Sequence, residues 1–214
     1  MALRSTLAAA ASLAAVIALP TSCISQTAHQ DVPPDQCPAA GTATSLTGKA
    51  LNVLKNRALA PRDGQIRRDV TLGAMLAGGD DHNRFNESDG AEITGYVIDV
   101  RQGGHPESAN CGNLGTLYTD THIAVALSPG QPITQAAIVE VTPVWRAAMA
   151  KRGVDWRTET LEKTLIGRRV RLRGWLLFDF SHVKDAVNTA PNNPADWRKT
   201  AWEVHPITSM QVLP

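Results

Sequence analysis

Two acid-x-histidine patterns stand where strands are predicted, and they are the chain's strongest candidates for chemistry. Asp120 and His122 occur in DTHIAVAL, and Glu203 and His205 repeat the spacing in WEVHPIT. Residues two apart on a strand share a face. Imidazole and carboxylate groups together suit Zn²⁺ or another divalent ion such as Mn²⁺. The sequence therefore predicts His122, Glu203 and His205 as metal ligands, provided that their strands approach each other.

A divalent ion at this place would support hydrolysis. Glu140 in IVEVT lies on the matching face of its own predicted strand. A metal-bound water can attack an ester or a phosphodiester, and Asp120 or Glu140 would then be the catalytic general base. The pattern lacks the local spacing of an H-E-x-x-H helix. Two alternatives therefore stay open, namely a polar ligand pocket and hydrogen-bonded groups on the outside of a barrel.

Two long loops carry further polar candidates. The loop after the first predicted strand holds His105, Glu107 and Cys111, and the loop between the last two strands contains His182 near its start. Loops of such length are usually functional or disordered. The predicted ligand contacts are His105, Glu107 and His182. Cys111 is also a candidate nucleophile, with His105 or His122 as its base.

A third candidate surface lies on a single strand. Arg169, Arg171, Arg173 and Trp175 occupy alternate positions in RRVRLRGWLLFDF. Arginine and aromatic groups can follow a phosphate backbone and stack on bases, so Arg171, Arg173 and Trp175 are predicted ligand contacts. However, 21 Lys and Arg against 20 Asp and Glu leave a formal charge of +1, which gives no overall attraction to nucleic acid. A solvated strand face is the alternative.

The elements that must position these groups follow a recognisable order. Alternation predicts three strands (93–100, 121–127 and 138–142), helical spacing predicts a helical region (143–165), and alternation resumes in two closing strands within 168–213. Glycines near 95 and 174 indicate bulges. This order is that of the OB-fold, a mainly β, five-stranded Greek-key barrel with ligand contacts at its 1–2 and 4–5 loops. Another small barrel or a sandwich is the alternative.

The first ninety residues precede the barrel. Residues 1–25 begin with a short basic region, continue as an apolar stretch and turn polar, which is typical of a secretory signal peptide. Cys23 leaves open a lipoprotein signal with a lipid anchor. Residues 26–47 are a predicted flexible leader, residues 48–90 a short N-terminal helical extension, and residues 91–214 the barrel domain.

Export would place the cysteines in an oxidising compartment. The chain has three, and signal processing would remove or lipidate Cys23. Cys37 and Cys111 are therefore a predicted disulfide pair. Two unpaired thiols are the alternative.

Several motifs resemble an exported bacterial family of proteins whose function is uncharacterised. They are LNVLKNR, GYVIDVRQGGHPESANC, DTHIAV, VEVTPVWR, GWLLFD followed by SH, and TAWEVHPITSMQV, in this order from Leu51 onward. The resemblance implies the OB-like core but no activity. Relatives carry a second cysteine beside the one that corresponds to Cys111. Ala109 and Gly112 flank that region here, which argues against a two-thiol metal or redox site.

Three functions are predicted, in order of preference. The first is an exported OB-like binding domain for a small molecule or an envelope component. The second is a divalent-metal-dependent hydrolase of nuclease or phosphodiesterase type. The third is a structural envelope protein, whose polar groups would be dispersed. Nucleic acid is a less favoured partner, and membrane contact would come only through a lipid anchor at Cys23.

Overall fold

The computed structural model describes residues 29–104 and 106–214, so the predicted signal peptide and His105 lie outside the described residues. Five strands form a closed barrel: β1 (Gly90–Gln102), β2 (Thr121–Ala126), β3 (Ala137–Val141), β4 (Arg169–Phe178) and β5 (Trp202–Val212). Four α-helices accompany them among these residues: α1 (Leu46–Lys55), α2 (Leu72–Met75), α3 (Pro143–Ala150) and α4 (Thr158–Leu165).

The strand order around the barrel is β1-β2-β3-β5-β4, and β4 returns to pair with β1. All neighbouring strands are antiparallel except β3 and β5, which are parallel. This is the Greek-key arrangement of the OB-fold, with α3 and α4 between β3 and β4. The predicted fold class is confirmed.

The predicted bulges are found in part. The β4–β5 register shifts on both sides of Gly174, and a Cβ at this position would collide with the carbonyl oxygen of Pro206. Glycine is therefore required at this close approach. In β1 the register shifts between Val97 and Asp99, so the bulge does not lie at Gly95 as predicted. Gly95 instead makes room for Leu72 of α2, which packs against it.

The inward side chains form one apolar core. β2 contributes Ile123 and Val125, β3 contributes Val139 and Val141, and all four are fully buried. Helix α4 closes against this core through Leu161 and Leu165. Burial of this surface is the main favourable contribution to folding.

A second buried layer lies on the outside of β2 and β3. Ala124, Ala126, Ala136 and Ile138 form a smaller apolar cluster there, against which Trp197 of the 4–5 loop packs. The backbone amide of residue 199 also donates to the carbonyl of residue 136, at 2.9 Å. The 4–5 loop thus covers an outer strand face that would otherwise be exposed.

The N-terminal residues are attached to the 1–2 loop. Cys37 and Cys111 form a disulfide with a Cα–Cα distance of 6.0 Å, so the predicted pair is confirmed and the predicted Cys111 nucleophile is wrong. The carboxylate of Asp31 accepts from the backbone amides of Leu114 and Gly115, at 2.8 and 2.9 Å. The described part of the predicted flexible leader therefore has fixed partners, because a disulfide and long-range hydrogen bonds restrain it. No helix among the described residues is long and apolar enough to cross a membrane.

Candidate functional site

Three neighbouring strands place a row of ionisable side chains on the outer face of the barrel. His122 on β2 lies directly opposite Glu140 on β3. Val139 pairs with Val204 in the parallel β3–β5 ladder. Because alternate residues of a strand point to opposite faces, Glu140 then lies beside His205 of β5.

The row is buried although it lies outside the apolar core. Asp120 and Glu203 extend it, each two residues before a histidine. The exposed fraction is 7% for His122, 1% for Asp120 and Glu140, and 0% for Glu203 and His205. The predicted shared faces of both acid-x-histidine pairs are therefore observed. Their burial was not predicted.

The members of the row are in direct contact. Nε2 of His122 lies 3.1 Å from Oε1 of Glu140. Nδ1 of His205 lies 3.2 Å from Oε2 of Glu140 and 3.1 Å from Oε2 of Glu203. Asp120, Glu140 and His205 each offer a ligand atom, and these three atoms all lie within 4.8 Å of one another. The two outer strand faces therefore meet, as the metal prediction required.

Three of these side chains each carry a buried atom that makes no hydrogen bond to the part of the chain that the structure describes. They are Oδ1 of Asp120, Oε2 of Glu140 and Nε2 of His205. The other carboxylate oxygen of Asp120 accepts from Nδ2 of Asn110, at 2.9 Å. An unsatisfied buried polar atom costs about 1–3 kcal/mol, so three in one cluster make this cluster a candidate binding site.

Positive charge reaches the row from the covering loop and helix. Nη1 of Arg198 donates to Oε1 of Glu203 at 2.5 Å, and both side chains are fully buried. Nζ of Lys55, the last residue of α1, lies 2.7 Å from Oδ2 of Asp179, which follows β4. Breaking a buried pair leaves an uncompensated charge, so these two contacts fix the 4–5 loop and α1 on the barrel.

The electrostatic environment separates the two glutamates. Burial raises the pKa of Glu140 well above its ordinary value, and the Glu203 charge adds to the effect. Burial acts in the same direction on Glu203, but Arg198 and the hydrogen bond with His205 outweigh it, so the pKa of Glu203 lies well below its ordinary value. Burial lowers the pKa of His122 to about 3, which makes this imidazole neutral at pH 7.

A cavity of about 630 Å³ opens beside the row, between α1, the 1–2 loop and the 4–5 loop. His122 lines it directly. The guanidinium of Arg101 lies 4.9 Å from the ring centre of Trp197, and the rings of Trp197 and His122 are nearly parallel with centres 6.3 Å apart. Cavities of this size suit small molecules, and the aromatic and charged lining suits a polar ligand with a planar group.

Two of the predicted loop contacts line this cavity. Glu107 is a quarter exposed, and burial together with the Asp120 charge raises its pKa to about 8. His182 lies on the opposite loop, where its Nδ1 is 2.7 Å from Oδ2 of Asp185. The third predicted contact, His105, lies outside the described residues.

The predicted arginine stripe on β4 is not part of the cavity lining. Arg173 donates to the carboxylate of Asp63 at 2.6 Å, and Nε1 of Trp175 donates to the carbonyl oxygen of Leu59 at 2.7 Å. Arg171 remains about half exposed. The segment of residues 59–63 therefore occupies part of this strand face.

The structure brings together a different set of potential metal ligands from the predicted one. Of His122, Glu203 and His205, the structure joins His205 with Asp120 and Glu140 in one set of potential ligand atoms. Glu203 is instead engaged by Arg198 and His205, and His122 lies between Glu140 and the cavity. Asp120 and Glu140, predicted as general bases, are thus in the position of ligands.

Sequence reasoning missed the residues that complete the site from outside the strands. Lys55 and Arg198 had no periodicity or spacing that linked them to the histidines. Asp179 and Trp197 lie at the start of and within the 4–5 loop, whose only helical turn among the described residues is the 3-10 segment Phe180–His182. Lys55 does occur in LNVLKNR, one of the motifs that carried the resemblance, and this was the only available signal.

Comparisons with known proteins add little to this picture. No family model matches the chain. No curated protein matches it either. Among solved structures, a chain in the crystal structure of the S. pombe Stn1–Ten1 complex is similar at 14% identity with a TM-score of 0.28, and the alignment covers 58% of this chain and 57% of that one. The fold assignment therefore rests on this chain's own strand order and pairing.

Proposed function

We propose that this protein is an exported OB-like binding domain that holds a small polar ligand between its 1–2 and 4–5 loops. The observation that carries the proposal is the 630 Å³ cavity, whose walls come from these two loops and α1. The same loops form the usual binding side of an OB barrel. Arg101 and Trp197 supply a charged and an aromatic contact, and the Glu107 and His182 side chains supply hydrogen-bonding groups.

Export is part of the proposal. The Cys37–Cys111 disulfide supports it, because such bonds persist mainly in oxidising compartments. Fractionation of the native cell is the test: recovery of the mature chain in the cytosol would contradict export, and a lipid on Cys23 would identify the anchored form.

A thermal-shift screen tests the cavity. The tag-free protein is heated with a panel of nucleotides, sugars, amino acids and phosphorylated metabolites, beside a short oligothymidylate. We expect a small polar compound to raise Tm by several degrees, because a ligand that binds only the folded state stabilises it. Arg101→Gln should abolish the shift, since Arg101 is half exposed and lines the cavity.

Arg171→Gln is the matched control, because Arg171 is similarly exposed but lies on the β4 stripe. The small-molecule shift should be unchanged in this variant. A shift with oligothymidylate alone, sensitive to Arg171→Gln and not to Arg101→Gln, would replace the proposal with nucleic-acid binding on the stripe.

A metal-dependent hydrolase is the second candidate function, and it is favoured by the buried carboxylates and histidines beside the cavity. Hydrolysis of a chromogenic phosphodiester or ester that requires added Zn²⁺ or Mn²⁺, and that is lost in Glu140→Gln, would move it to first place. Absence of turnover with both ions would exclude the hydrolase and leave binding as the proposed function.

A further inference from the structure

We propose that Asp120, Glu140 and His205 bind one divalent cation of the Zn²⁺ or Mn²⁺ class on the outer face of β2, β3 and β5. The inference deepens the binding function, because the ion is one chemical partner of the same site. It rests on the proposed function only in one respect: the ion would enter through the cavity, past His122. It differs from the sequence-based ligand set, in which His122 and Glu203 took the places of Asp120 and Glu140.

Geometry carries the first step. One ligand atom from each of the three side chains lies within 4.8 Å of the other two. Ligands about 2.0–2.2 Å from one metal lie no farther than about 4.4 Å apart, so a side-chain movement of a few tenths of an ångström brings all three atoms to one ion. The three residues come from two strands and the residue before a third, which are rigid supports.

Hydrogen bonding carries the second step. Among the described residues, Oδ1 of Asp120 and Nε2 of His205 are buried and make no hydrogen bond, and Oε2 of Glu140 makes none beyond its 3.2 Å approach to Nδ1 of His205. A carboxylate only accepts hydrogen bonds, so the bond between Glu203 and His205 places the shared proton on Nδ1 of the imidazole. In this tautomer the lone pair of the ring is on Nε2, for which the described residues offer no hydrogen-bond partner.

Charge carries the third step. Lys55 pairs with Asp179 and Arg198 pairs with Glu203. Among the described residues, no lysine or arginine lies within 4.0 Å of the carboxylates of Asp120 and Glu140: Glu140 contacts the imidazoles of His122 and His205, and Asp120 accepts from the amide of Asn110. Buried charges are normally paired or coordinate metals. Metal ligands bind in their deprotonated form, and two ionised carboxylates match the charge of one divalent ion.

Glu203 is a positioning residue in this arrangement. A metal-binding histidine usually donates its other ring N–H to a carboxylate, which fixes its orientation. Glu203 is that carboxylate for His205, with Oε2 3.1 Å from Nδ1, and Arg198 in turn donates to the other oxygen of Glu203. The mixed set of imidazole and carboxylate suits Zn²⁺ and Mn²⁺, and the Irving–Williams order predicts that Zn²⁺ binds more tightly.

Metal content and affinity are the direct test. The full chain is purified without an affinity tag, stripped with a chelator, dialysed against Zn²⁺ or Mn²⁺, and then examined by elemental analysis and isothermal titration calorimetry. We expect one ion per chain. Glu140→Gln and Asp120→Asn keep the shape of the side chains and should each weaken Zn²⁺ binding at least about 100-fold, whereas Glu203→Gln should weaken it about 10–100-fold.

His82→Gln is the matched control. His82 is exposed and lies 2.5 Å from Asp80, so this pair is a surface site that could bind a stray ion. Binding should be unchanged in this variant. Circular dichroism is recorded for each protein, and if one carboxylate variant does not fold, the other decides the question.

Two outcomes overturn the inference. The first is a folded parent protein that binds neither ion after dialysis. The second is undiminished binding in every folded carboxylate variant (Glu140→Gln, Asp120→Asn or both), which would mean an adventitious ion. Arg101→Gln separates this inference from the proposed function: a variant that loses the cavity ligand and keeps the metal shows that the two can fail independently.

Discussion

The two faces of β2, β3 and β5 are both buried, and they differ in chemistry. The inner face presents side chains such as Ile123, Val139 and Val204 to an apolar core. The outer face of the same strands presents His122, Glu140 and their neighbours to α1 and the two long loops. Strand alternation therefore assigned the side chains to faces correctly, but it did not distinguish a solvated outer face from one that is covered.

The two faces are also stabilised differently. Apolar burial is non-directional, and the inner face tolerates replacement by residues of similar volume. The outer face depends on directed partners, because a buried charge without one is costly. We therefore expect the outer face to respond more strongly to loss of one partner and the inner face to respond in proportion to lost volume.

The largest effect should come from Arg198→Ala. It leaves the Glu203 carboxylate fully buried without its cation, and we expect a loss of about 3–5 kcal/mol in the free energy of unfolding. Urea unfolding of the tag-free protein measures it. Arg198→Met combined with Glu203→Gln should recover more than half of the loss, because neither charge is then left unpaired.

Arg157→Ala is the control for this experiment. Arg157 pairs with Asp155 at 2.6 Å, a similar distance, but both side chains are largely exposed. Its effect should be far smaller, since water screens an exposed pair. Equal losses for Arg198→Ala and Arg157→Ala would show that burial does not distinguish the two pairs.

A smaller effect is expected from removal of the disulfide that ties the N-terminal segment to the 1–2 loop. The Cys37–Cys111 bond closes a loop of 74 residues, and Cys37→Ser with Cys111→Ser should cost roughly 2–4 kcal/mol. Hydrogen exchange should show lost protection at residues 108–113 and little change in the inner strands. A uniform loss of protection throughout the barrel would mean that the disulfide stabilises the whole domain and not the 1–2 loop in particular.

The inner face should respond mildly to loss of a methyl group. Ile123 is fully buried in the core, and Ile123→Val should cost about 0.5–1.5 kcal/mol. Zn²⁺ affinity should stay within about twofold of the parent value, because the side chain points away from the outer row. A much larger change in metal affinity would mean that the two faces are coupled through β2.

The smallest expected effect is the change in stability when Asp31, which is hydrogen-bonded to the 1–2 loop, is protonated at low pH. The Leu114 amide, with further help from Gly115 and His29, lowers the pKa of Asp31 below its ordinary value of 3.8. Because the folded pKa is the lower one, the unfolded chain binds the proton first. The stabilisation is therefore complete above about pH 4 and is lost as pH falls through the folded pKa.

Amide chemical shifts of Leu114 and Gly115 should report this titration in an NMR experiment. The midpoint should lie below 3.8, and Asp31→Asn should remove the transition. A midpoint at or above 3.8 would mean that these hydrogen bonds are not maintained in solution.

Much of the fold could be predicted because its signals are local. Alternating residues predicted all five strands, and Pro143 together with the spacing up to Leu165 predicted the helices between β3 and β4. The β1 bulge was misplaced, because Gly95 accommodates Leu72 from α2 and the register shift lies farther along the strand. A glycine shows that space is needed, but not what fills it.

The candidate site could be predicted only in part, because only some of its features are encoded by local patterns. The sequence by itself determined that His122 and Glu140 share one face of the sheet, since a period of two is a property of each strand. Tertiary structure decided that this face is buried, that Asp120, Glu140 and His205 converge, and that Lys55 and Arg198 supply the opposing charge. These contacts join segments far apart in the chain, and no local spacing encodes them.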